Sequence, residues 1–303
     1  MRKFDNKKAG VLTSSDLRTF KGKVIYGMFM AILLAVAVIS LIPAIWTISS
    51  AFKDTQEIYQ ASSFFPKGLT FSKAIERIVY AWNKLDFGMS IVNTIVLSLG
   101  NLVFSVVLCG LGGYVLSKMN IKGGKLIFTL VVWTMMMPTQ IRMVPNYISY
   151  LHFPFAANIG IGVNILDTFW PFWLGCGANA YAVLMYKNAF DGISTSYVEA
   201  ARIDGCSNFG IFFKIMFPLS MPIIIYQSIG ALSSAWSDYF GPLLILDTKS
   251  VVPLDIFRLK GSFDIKMNVY FMALVIGSIP PFLIFAFFQK KIMGGVNVGG
   301  VKG

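Results

Sequence analysis

Charge, histidine and cysteine are all scarce in these 303 residues. Asp, Glu, Lys and Arg make up only 13% of positions, about half the share of a soluble domain, which excludes an ordinary water-solvated fold. A single histidine, His152, cannot build a metal cluster. Cys109, Cys176 and Cys206 stand far apart with no C-x-x-C pair, so neither a metal centre nor a redox pair is expected; they read as small buried apolar side chains. No G-x-x-x-x-G-K-[S/T] string occurs. The nearest stretches, 110–118 and 295–302, lack the Lys-Ser/Thr pair that meets phosphate and magnesium. The chain is therefore expected to bind no nucleotide or other cofactor and to hydrolyse no ATP itself.

Acids are missing where an ion-coupled carrier would keep them. Of 14 Asp and Glu, none lies in the middle of an apolar run; Asp167 and Asp238 sit at run ends. Proton- or sodium-driven carriers usually hold a carboxylate or an interrupted helix near the bilayer midplane. That class loses support, although Pro218, Pro222, Pro280 and Pro281 leave interrupted helices open. Internal repeats and low-complexity tracts are also lacking.

What the chain has is apolar length. Apolar residues make up 56% of it, with mean hydropathy +0.68. Six stretches qualify as spans: 24–48, 91–117, 126–148, 166–187, 214–236 and 268–289. The run that follows the basic N-terminus is too long for a signal peptide and reads as a retained first span. Pro145, Pro154, Gly160 and Gly162 mark 145–164 as a loop. The expected fold is an all-α polytopic membrane protein with six transmembrane helices. Its expected divisions are an N-terminal part over 1–90, a transmembrane core over 91–290 and a Gly-rich tail over 291–303. Within the first, 49–90 mixes charges with Phe64-Phe65-Pro66 and Trp82 and reads as a small folded extracellular cap.

The net charge of +12 would point to nucleic acid in a soluble protein, but its placement points to a membrane. Stretches 1–23, 118–125, 187–214 and 290–303 hold 16 Lys/Arg and 5 acids, the remainder 10 and 9. Almost the whole positive excess thus falls on one face, which predicts cytoplasmic N- and C-termini in a cell membrane and no nucleic-acid partner.

Segment 187–214 carries the most specific pattern. Ser196-Tyr197-Val198-Glu199 has capping-box spacing, Glu199-Ala200-Ala201-Arg202 continues as a good helix former, and Gly205 can end the helix in the left-handed region. Ser207 or Asn208 can cap the next helix. A two-turn helix is marginal in water and must pack on something, either this chain's own spans or a partner.

Here a resemblance enters. Glu199-Ala200-Ala201, Gly205, Ile215 and Pro218 resemble the EAA loop of ABC-importer permeases, with Phe217 where leucine is usual. The run from Glu199 to Gly205 is similar to E-A-A-R-I-D-G of the carbohydrate-uptake, MalG-like branch. Trp236-Ser237-Asp238-Tyr239 with Pro242-Leu243, Met137-Pro138 and the terminal G-x-x-x-G-G-V-K-G over 295–303 resemble further strings of that branch. Together they cover about 90–303; the first 90 residues match only in layout.

The resemblance implies a type I ABC importer fold with a cytoplasmic EAA coupling helix. It implies a homologous MalF-like permease, two ABC ATPase subunits that hold ATP and Mg, and an extracellular solute-binding protein. Glu199 would anchor that helix in an ATPase groove, with Ala200 and Ala201 at the close-packed surface, Arg202 and Asp204 beside them and Gly205 setting the turn. Gly299, Gly300 and Lys302 would reach the ATPase dimer. Among aromatics suited to sugar faces, Trp133, Trp236 and Tyr239 are the candidates for the substrate path. The solute is expected to be a di- or oligosaccharide; a polyol or glycerol phosphate in the same machinery, a secondary carrier and a non-transporting scaffold are the alternatives.

Overall fold

The computed structural model describes residues 19–60, 63–84, 86–154, 162–261 and 266–295. Every regular element among them is helical. Contacts divide the chain into two units, Met1–Arg77 with Lys266–Val275, and Ile78–Ile265 with Ile276–Gly303.

The first unit opens on α1 (Phe20–Ala51), whose N-terminus is capped by Thr19 Oγ1 accepting from Gly22 N at 3.1 Å. Side chains from Val24 to Ala44 are exposed all round the helix. A helix that is apolar all round suits a membrane span rather than a water-facing surface. Two short helices follow, α2 (Thr55–Gln60) and α3 (Phe71–Lys84). The fully buried Lys53 donates to Ser63 O at 2.8 Å and lies 3.9 Å over the Trp46 ring. Arg77 donates to Phe52 O and pairs with Asp54. These ties hold the start of the expected cap together.

The second unit is built on α4 (Phe87–Lys118), 32 residues long with a π turn at Ser105–Cys109. Ser90, Thr94, Leu97, Ser98 and Asn101 recur at helical spacing and are buried. Ahead lie α5 (Gly124–Met136) and α6 (Thr139–Leu151), bent by 108°. Met137 is extended and Pro138 has no N–H to offer, so the helix ends there. The helix then resumes through Pro145 to Leu151, which corrects the loop expected from 145. Next are α7 (Trp170–Gly177) and α8 (Ala180–Asp191). They interrupt the expected 166–187 span: Asn179 caps α8 by accepting from Ala182 N at 3.0 Å, and the Cys109 thiol reaches the carbonyls of Cys176 and Gly177 at the break.

Helix α9 (Thr195–Ile203) leads to α10 (Asn208–Leu219), which meets α11 (Met221–Ser237) at 89°. The apolar run 214–236 is thus shared between two helices turned at Ser220. Helices α12 (Phe240–Ile245), α13 (Val252–Lys260) and α14 (Met267–Gly295) complete the order. By length and composition α1, α4 and residues 267–289 of α14 can each cross a membrane, and the two bent pairs could supply two more crossings.

One loop contact makes a prediction. Ahead of α7, Asp167 takes φ +57 and its carboxylate accepts from the N–H groups of Asp247, Thr248 and Lys249 and from the Thr248 hydroxyl. The Thr248 hydroxyl and these N–H groups hold its carboxyl below the usual carboxylate range. A lowered folded-state pKa gives stability above the unfolded value of about 3.9, lost as pH falls through the lower folded one. Asp167→Asn is expected to speed amide hydrogen exchange at 247–249 at neutral pH, and acid below the usual carboxylate range to do the same to the parent chain.

Candidate functional site

Two features of the second unit are candidate sites. The first is the outer face of α9. The hydroxyl of Ser194, not Ser196, caps the helix by accepting from Ser196 N. This corrects the expected capping box: Ser194, Thr195 and Ser196 are all cap residues by type, and the helix uses the earliest. Its C-terminus closes as anticipated. Gly205 takes φ +78, with Cys206 N donating to Ala201 O at 2.9 Å and Gly205 N to Arg202 O at 3.0 Å. This is the paired bonding of a Schellman cap. Ser207 caps α10 by accepting from Gly210 N at 3.2 Å.

The α9 residues divide by face. Val198 and Ala201 are buried in a cluster with Tyr114, Tyr186, Phe190 and Phe212. Glu199, Ala200, Arg202, Asp204 and Gly205 are exposed. Ala201 therefore packs on this chain's own core, and of the two expected contact alanines only Ala200 faces out. Tyr197 and Ile203 share its face at i±3 spacing, and Phe209 at the start of α10 is exposed too; Ile203 is 87% exposed. These three apolar side chains were not singled out from the sequence, where each reads as ordinary helix filling. The α9 base is tied by Lys118 Nζ donating to Ile193 O at 2.6 Å and Ser117 Oγ to Asp191 at 2.6 Å. Gly299, Gly300 and Lys302 lie outside the described residues.

The second surface is a cavity of about 540 Å³ walled by α4, α6, α7, α11 and α12, within the usual size of a small-ligand site. Its polar lining includes the amides Asn101, Gln140, Asn146 and Asn179, the tyrosines Tyr147 and Tyr150, and Ser234. Asp238 contributes a carboxylate whose Oδ1 also caps α12, accepting from Phe240 N and Gly241 N at 3.0 Å each. Among the described lining residues there is no Lys, Arg or His. Trp133, Trp236 and Tyr239 do not line it; Trp133 is exposed, Trp236 half-buried, and Tyr239 stacks on Phe257 with ring centroids 4.4 Å apart. The signal for the real lining was an amide inside an otherwise apolar run, as at Asn101.

Comparisons with known proteins agree with this architecture. The binding-protein-dependent transport system inner membrane component family matches residues 107–296. The arabinooligosaccharides transport system permease protein AraQ of Bacillus subtilis (strain 168) is 30% identical over 217 residues, spanning 70% of this chain and 72% of its own length. The polygalacturonan/rhamnogalacturonan transport system permease protein YtcP of the same organism is 28% identical over 296 residues, 92% of this chain and 97% of its own. Among solved structures, a bacterial ABC transporter involved in the import of the acidic polysaccharide alginate matches with TM-score 0.73 and 25% identity, over 93% of this chain and 99% of that one. The chain belongs to the family of binding-protein-dependent transport system inner membrane components, multi-pass permease subunits of ABC importers in which separate subunits hydrolyse ATP.

Proposed function

We propose that this permease serves carbohydrate uptake, forming half of a path for a di- or oligosaccharide, and that α9 is the lever through which an ATPase subunit drives it. The observation that carries the coupling role is the division of α9. Val198 and Ala201 anchor it in the core, while Tyr197, Glu199, Ala200 and Ile203 face outward. A short helix fixed on one side, and on the other presenting apolar Tyr197, Ala200 and Ile203 beside charged Glu199, suits a helix-in-groove contact. Movement of the groove is then passed to α4 and α8 through Tyr114, Tyr186 and Phe212, a rigid packed cluster. The carbohydrate reading is supported by the names of the relatives above and by a cavity of amides, hydroxyls and tyrosines, groups that exchange hydrogen bonds with sugar hydroxyls.

In the assembled transporter this chain pairs with a homologous permease, two ATPase subunits and an extracellular solute-binding protein, with ATP and Mg held by the ATPases. The chain crosses the membrane six times with both termini in the cytoplasm, its core over 91–290 carrying the path. The N-terminal part over 1–90 supplies the first span and the extracellular cap, and the tail over 291–303 brings Gly299, Gly300 and Lys302 to the ATPase dimer. Ile203→Asp tests the docking face. The prediction is a loss of ATPase copurification of about tenfold, the effect of roughly 1.4 kcal/mol, with unchanged membrane insertion. Equal copurification with the parent chain would remove α9 from the contact.

A further inference from the structure

We infer that Asn101 is a specificity-determining residue of the cavity, its amide oxygen accepting a hydroxyl of a neutral saccharide. The inference rests on the carbohydrate reading above and narrows it to uncharged solutes. Asn101 lies near the middle of the 32-residue α4, 4% exposed, on the cavity wall. Ser234 across the wall donates its only proton to Ala231 O at 2.8 Å. Its oxygen can then only accept, and it accepts from Asn101 Nδ2 at 3.2 Å. The Ser234 hydroxyl also faces the Cys176 thiol, and with its proton on Ala231 O the network assigns the amide nitrogen to the Ser234 side. The amide oxygen, Oδ1, is left buried with no hydrogen-bond partner among the described residues.

A bare acceptor in a low-dielectric interior is costly, and a polar side chain at that depth in a membrane helix marks a functional path more often than not. If Asn101 served only to join α4 to α11, the Ser234 bond would suffice and Oδ1 would gain nothing from its position. What Oδ1 needs is an O–H or N–H donor. A sugar hydroxyl is one; an ionised carboxylate is not. The wall agrees with that chemistry. Gln140, Asn146, Asn179 and Tyr147 can donate to and accept from hydroxyls, while among the described lining residues the charge is the carboxylate of Asp238 and no cation stands ready to receive a uronate. A neutral sugar gains hydrogen bonds here, whereas an acidic one meets like charge.

The test uses the complete transporter in cells and four radiolabelled trisaccharides, the neutral arabinotriose and maltotriose and the anionic trigalacturonate and trimannuronate. Neutral uptake is expected to exceed anionic. Asn101→Leu, close in size but without the acceptor, is expected to raise the KM for the neutral sugar about tenfold, the loss of one good hydrogen bond. The maximal rate and the amount of assembled complex in the membrane are expected to fall less than twofold. Asn101→Ala should repeat the KM change. Preferred uptake of the anionic sugars overturns the inference. So does an unchanged KM in both variants, or a loss of assembled complex in both, which would make Asn101 a packing residue. Uptake of none of the four, beside uptake of a radiolabelled polyol or glycerol phosphate by the same transporter, would instead refute the di- or oligosaccharide reading itself.

Discussion

Glu199→Lys is expected to leave a folded, membrane-inserted chain that no longer moves solute. Glu199 is exposed in the middle of α9, and its side chain makes no hydrogen bond or ion pair among the described residues. Glutamate and lysine have nearly equal helix propensity, and the buried anchors Val198 and Ala201 are untouched. Nothing among the described residues therefore depends on the carboxylate. If Glu199 engages an ATPase groove, reversing its charge replaces an attraction with like-charge contact, which costs several kcal/mol. At about 3 kcal/mol, coupling falls on the order of a hundredfold. The measurement is binding-protein-stimulated ATPase activity and uptake by the reconstituted complex, beside the amount of inserted chain. Parent-level uptake by the Glu199→Lys chain would remove the polar anchor from the mechanism.

The helical membrane fold was legible because lipid forces it. A bilayer requires long uncharged runs, and the runs over 24–48, 91–117 and 268–289 lie within α1, α4 and α14. Bends were not legible. A hydropathy window averages across Pro138 and Ser220 without registering that the chain turns by 108° and 89° there. Conversely, Pro145 was overweighted, since six residues on either side keep α6 helical around one missing N–H. At α9 the C-terminal signal was specific, because only glycine readily takes φ +78 at Gly205. The N-terminal signal was not, because three consecutive residues can each cap and spacing to Glu199 favoured the wrong one. The cavity was least legible. Its walls come from five helices, and sequence periodicity says that Asn101 shares a face with Ser98 and Thr94 but not what that face meets. Choosing by aromatic type led instead to Trp133, Trp236 and Tyr239, whose rings lie elsewhere.

The same glycine-to-alanine change is expected to have opposite outcomes in α4 and α11. At Gly113 an added Cβ would stand 2.6 Å from Tyr186 Cβ and 2.8 Å from the Lys187 backbone nitrogen. The first is fixed directly to the α8 backbone and the second belongs to it, so no rotamer change relieves the clash, and one helix must move. That motion would separate Tyr114 from Tyr186 and Phe190, the cluster on which α9 rests. Overpacking of this kind costs about 1–3 kcal/mol, and the close approach of helices through a glycine is what membrane interfaces rely on. At Gly230, within α11, a Cβ meets nothing within 4 Å. Alanine there only removes glycine's backbone entropy penalty and is expected to be neutral or to stabilise by up to about 1 kcal/mol. Thermal unfolding of the purified chain in detergent, followed by the monodisperse fraction surviving heating, should place Gly113→Ala below the parent and Gly230→Ala at or above it. Because α9 is held by the displaced cluster, Gly113→Ala should also lower ATPase copurification if α9 is the lever proposed above, although residue 113 lies in α4 and not on the proposed docking face. A Gly113→Ala chain as heat-resistant as the parent would mean that α4 and α8 do not pack through that glycine.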